Sequence, residues 1–65
     1  MWVPFMTVRN GLIAETWREL FAAEGLSVRV VPPVGYGERA SLFDERTLYV
    51  PTGKAHVARE ILRKI

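Results

Sequence analysis

A chain of 65 residues has room for one hydrophobic core, and a core of that size supplies no more than about 3–5 kcal/mol. Cysteine is absent, which excludes disulfides and thiolate metal sites; with 49% hydrophobic residues, packing or self-association must stabilise the fold. The formal net charge of +2 is spread from Arg9 to Lys64 without a basic run, as on a solvated surface rather than a polyanion-binding tract.

The chain reads as a single domain, 1-65. Its apolar opening, Met1 to Val8, lacks a basic leader and stops at Arg9, too short for a signal core or a membrane span. The cytoplasm is the expected location, with no membrane partner.

Trp2–Val8 is too short and too rich in β-formers for a helix, and Pro4, which cannot donate to a ladder, assigns this strand to a sheet edge. Asn10-Gly11 could be a hairpin turn, but the next stretch has helical period. Ile13, Trp17, Leu20, Phe21 and Glu24 fall on one face, all but the last apolar. Asn10 is the expected N-cap and Gly25 the stop, giving a first helix from Gly11 to Glu24.

Leu26–Val31 alternates, with Leu26, Val28 and Val30 inward, until Pro32-Pro33 ends it. A loop of about fourteen residues, 32-45, follows; loops of such length are functional or mobile. Arg46–Val50 is the third strand, stopped by Pro51, and Thr52 is placed to cap the last helix. There Val57, Ala58, Ile61, Leu62 and Ile65 form the apolar stripe, and basic residues in the final turn complement the helix dipole.

The order β-α-β-β-α, with a right-handed crossover between the first two strands, predicts an α+β, ferredoxin-like sheet lacking a fourth strand. Strand three is central and antiparallel to both neighbours, with the two helices on one face. Strict alternation then puts Val3 and Phe5 on one side of strand one and Trp2, Pro4 and Met6 on the other, so the uncovered face becomes apolar, joined by Tyr49 and Val31. The sequence therefore predicts a homo-oligomer, most simply a dimer, formed through strand one or the uncovered face, the alternative being that the 32-45 loop folds over that face. Trp2, Pro4, Phe5, Met6 and Tyr49 are its expected contact residues. Single-stranded nucleic-acid binding is the second reading, with bases stacked on Tyr49, Phe5 or Trp2 beside Arg29 and Arg46.

Chemistry-bearing motifs are sparse. Gly35-Tyr36-Gly37-Glu38-Arg39-Ala40 matches a dinucleotide pattern, but Ser41–Phe43 leads on towards a strand, where the motif needs a helix. Gly53-Lys54 at a helix start resembles the end of a phosphate loop, yet Leu48 stands where the first glycine belongs and Ala55 replaces Ser or Thr. Gly35, Gly37, Arg39, Gly53 and Lys54 are accordingly the candidates for a small anionic ligand. His56, the only histidine, lies on the polar side of the last helix, and adjacent Asp44 and Glu45 diverge on an extended chain. No catalytic residue, metal site or cofactor is assigned, and a non-enzymatic binding module is expected.

Two stretches resemble a small bacterial family described as signal-transducing proteins of unknown function, related in fold to the PII nitrogen-regulatory proteins. Ile13-Ala14-Glu15 through Leu20-Phe21-Ala22-Ala23-Glu24-Gly25-Leu26 is similar to that family's helix and its glycine turn into strand two. Leu48-Tyr49-Val50-Pro51, followed by Ala58, Ile61 and Leu62, is similar to its closing unit. Thr52-Gly53-Lys54 departs from the acidic residues that follow the family's proline. The resemblance implies a PII-like fold and a regulatory or ligand-sensing role, and it brings no binding or catalytic residue with it.

Overall fold

The computed structural model describes residues 1–33, 35 and 40–65. Strand β1 (Trp2–Val8) leads to helix α1 (Gly11–Ala23), β2 (Arg29–Val31), β3 (Arg46–Pro51), a 3-10 turn (Thr52–Lys54) and helix α2 (Ala55–Arg63). The sheet is three-stranded and antiparallel in the order β1-β3-β2, an α+β arrangement compatible with a small ferredoxin-like fold.

Helix α1 begins and ends as its sequence dictates. The Asn10 side chain accepts from the Ile13 amide at 2.8 Å, satisfying one orphan donor of the first turn. At the other end Gly25 takes φ +86°, its amide bonds to Ala22 O, and the Leu26 amide reaches back to Phe21 O, both at 2.9 Å. This is a Schellman closure, and the apolar contact that accompanies it is Leu26 with Phe21, neighbours in one buried cluster.

The buried face of α1 is rotated from the expected one. Gly11, Ala14 and Phe21 are buried, whereas Ile13 is 37% exposed. The cause is size: the small residues let the start of the helix approach the sheet, where Ala14 packs with Val8 and Leu48. A second cluster joins both helices to the same side of β3, through Phe21, Val50, Ala58 and Ile61. Both helices therefore cover one sheet face.

Thr52 does not cap α2. Its amide and its hydroxyl both donate to Met1 O, at 2.8 and 3.0 Å, and so fasten the start of β1 to the end of β3. The intervening 3-10 turn moves the helix start to Ala55, beyond reach of a threonine cap.

The ladder of β2 is shorter than its alternating sequence, three residues instead of six. The bond from Thr52 N to Met1 O fixes which groups of β3 point towards β1, and alternation turns the nitrogen of Pro51 the other way, towards β2. Proline has no proton to give there, so the pairing stops at Arg29 with Tyr49. Leu26 and Val28 still pack into the core without belonging to the ladder.

Candidate functional site: the open sheet face

Register decides which side chains the uncovered face presents. Leu48 and Val50 are fully buried under the helices, so Thr47, Tyr49 and Pro51 point away from them. Across from these lie Thr7, Pro4 and Trp2 on β1, and Val31 and Arg29 on β2. The hydroxyls of Thr7 and Thr47 meet at 3.2 Å, and the Arg29 guanidinium lies 4.7 Å from the centroid of the Trp2 ring, reaching across the sheet. Among the described residues, Arg29 is the only charged side chain that the strands place on this face.

Two residues expected in the association surface are elsewhere. Between Pro4 and Met6 the register shifts by one residue, a β-bulge that leaves Phe5 without a partner of its own. Beyond the bulge the parity of β1 reverses, and Met6 faces the helices instead of the open side. Phe5 stands edge-on to Phe21, ring centroids 6.1 Å apart, and both Phe5 and Met6 pack on the core. The apolar surplus of the open face is thereby reduced to Trp2, Pro4, Tyr49, Pro51 and Val31. In the structure Val3 and Val8 both face inward at an odd separation, which a regular strand could not accommodate and the bulge does.

The bulge and Pro4 also close the edge of β1. By the same alternation Pro4 directs its backbone outward, where it offers a carbonyl and no donor, and the bulge interrupts the edge beside it. At the opposite edge β2 is three residues long and runs into Pro32-Pro33. Neither edge is suited to adding a strand, and no described helix covers the face between them.

Arg46 is not part of this surface. It pairs with inward Val8, and its guanidinium donates to the carbonyls of Ser41 at 2.7 Å, Asp44 at 2.7 Å and Glu45 at 3.0 Å. Asp44 in turn accepts from the Ser41 amide, and Leu42 O receives the Gly11 amide at 2.7 Å. The end of the long loop is thus tied to the start of α1, an arrangement that sequence spacing did not suggest. A Cβ on Gly11 would stand 3.3 Å from Leu42 O, so the glycine allows this approach. The tied turn leaves Leu42 and Phe43 exposed next to Leu12.

Of the candidate anion-binding residues, the structure describes Gly35, Gly53 and Lys54. Gly35 has φ +89°, a left-handed turn residue, while Gly37 and Arg39 lie outside the described residues. Gly53 and Lys54 occupy the 3-10 turn ahead of α2, with Lys54 exposed. After Ala40 the described chain enters the Ser41–Asp44 turn and then β3, so no helix follows the glycine motif there. His56 is exposed on α2. Among the described residues no three His, Cys, Asp or Glu side chains could hold a metal ion, and no helix is long and apolar enough to cross a membrane. On the surface, the hydrogen bond and charge of Glu15 raise Arg18 above its ordinary range.

The fold and this surface define a small α+β domain with one covered and one open sheet face. Comparison with protein-family models, with curated proteins and with solved structures gives no match.

Proposed function

We propose that the protein is a non-enzymatic interaction module that acts as a homo-oligomer, most simply a dimer, through its open sheet face. One observation carries the reading: the face opposite the helices presents exposed Pro4 and half-buried Trp2, Tyr49 and Val31, with Arg29 the one charged side chain there among the described residues. A partly exposed apolar face of this kind is a candidate interaction surface. A small regulatory or signal-transducing role, on a PII-like fold, is part of this proposal and draws on the resemblance in the two helix–strand junctions.

Sedimentation equilibrium at tens of micromolar tests it: a mass of twice 7.4 kDa is expected, and 7.4 kDa throughout refutes self-association. The second reading, single-stranded nucleic-acid binding, is favoured by the Arg29 guanidinium stacked on Trp2 and by the lack of carboxylates among the described strand residues of that face. Salt-sensitive quenching of tryptophan fluorescence by oligonucleotides would establish it in place of the first.

A further inference from the structure

We infer that the Ser41–Glu45 turn is a strap over the start of α1, which opens and recloses as a unit while the core beneath the helices stays folded. Its fastenings are polar. Arg46 holds the carbonyls of Ser41, Asp44 and Glu45, and the Asp44 carboxylate accepts from the Ser41 amide at 2.9 Å. The Ser41 hydroxyl accepts from the Phe43 amide at 3.2 Å. Among the described residues one main-chain bond ties the turn to α1, from the Gly11 amide to Leu42 O at 2.7 Å.

The strap has no apolar anchor. Neither buried cluster includes a described residue from Ala40 to Glu45, and the two large side chains of the turn face solvent, Leu42 55% and Phe43 80% exposed. Releasing it therefore uncovers little apolar surface, and segments held mainly by solvent-exposed hydrogen bonds are the first to open. The core is held differently: Phe21, Leu48 and Val50 are fully buried, and exposing them means unfolding the domain. Arg46 belongs to β3, paired with Val8, so the strap recloses on an anchor that the core keeps in place. Opening frees two groups together, the Gly11 amide and the Arg46 guanidinium. They lie side by side in the closed state, where a Cβ on Gly11 would stand 3.4 Å from Arg46 Nη2. The strap decides whether both are bonded within the chain or meet solvent.

Amide hydrogen exchange of the full chain, followed in urea below the unfolding transition, tests the strap. The Gly11 and Asp44 amides, bonded to Leu42 O and Ser41 O, should be protected about tenfold less than those of Phe21 and Val50. Their exchange should also be nearly independent of urea, because the slope follows the surface exposed on opening, whereas exchange in the core should quicken steeply. Leu42→Ala and Phe43→Ala should each leave Gly11 protection within about twofold of the parent, since neither side chain anchors the turn. Gly11 and Asp44 amides that share the protection and urea slope of the core would overturn the inference, as the strap would then open only with the whole domain. Exchange at Gly11 as fast as in an unstructured peptide would overturn it too, because no closed state would exist. So would a loss of about tenfold at Gly11 in either alanine variant, which would reveal an apolar anchor.

Discussion

Replacing Arg46 by alanine should loosen one end of the molecule before it affects the rest. The guanidinium makes three hydrogen bonds to main-chain carbonyls, one part-buried and two exposed. Bonds from a charged donor contribute about 1.5–3 kcal/mol when shielded and less when wet, so the three together are worth roughly 2 kcal/mol. For a domain of this size that lowers the melting temperature by about 8–16 °C. Lysine keeps the charge but not the fork, so Arg46→Lys should lose about half as much. The distinguishing assay is amide exchange at Gly11, whose bond to Leu42 O depends on the Ser41–Glu45 turn that Arg46 holds. Gly11 should lose more protection in Arg46→Ala than the amides of Phe21 and Val50, which report the core. A melting temperature within about 2 °C of the parent, with Gly11 exchange unchanged, would refute the clamp.

Phe21→Ala removes a fully buried ring in contact with Phe5 and Trp17 and should cost about 3–5 kcal/mol, as much as the whole fold is worth. Circular dichroism of that variant should show a largely unfolded chain at room temperature. Gly25→Ala, at φ +86° with no neighbour within 4 Å, should lose about 1 kcal/mol from backbone strain alone, seen as a lower urea midpoint at constant slope. Met6→Ala tests the bulge: a core-facing, partly buried Met6 predicts a loss of about 1–2 kcal/mol, whereas regular alternation predicts almost none.

Local chemistry was legible in the residues themselves. Asn10 and Gly25 delimit α1 because capping and left-handed turns depend on one residue and its near neighbours. Pro4 marks an edge for the same reason, and a helix between two strands, followed by a third, leaves few ways to arrange a sheet. Where an interaction joins distant segments, the sequence misleads. Thr52 has a capping side chain but spends it on Met1, fifty-one positions away. Arg46, expected beside the stacking residues, instead holds carbonyls of its own loop within five positions, a contact that spacing alone did not suggest. Ile13 has the right period for the core, yet Gly11 and Ala14 draw a different face of α1 onto the sheet.

The sequence by itself determined the kinds and order of the elements, because propensity, caps and turn residues act over a few positions. Only the tertiary structure decided which side of β1 each residue occupies beyond Pro4. A single unpaired residue at Phe5 reverses the parity of the strand, and pairing with β3, not the sequence of β1, accommodates it there. That reversal moves Met6 into the core and leaves Trp2 outside under Arg29.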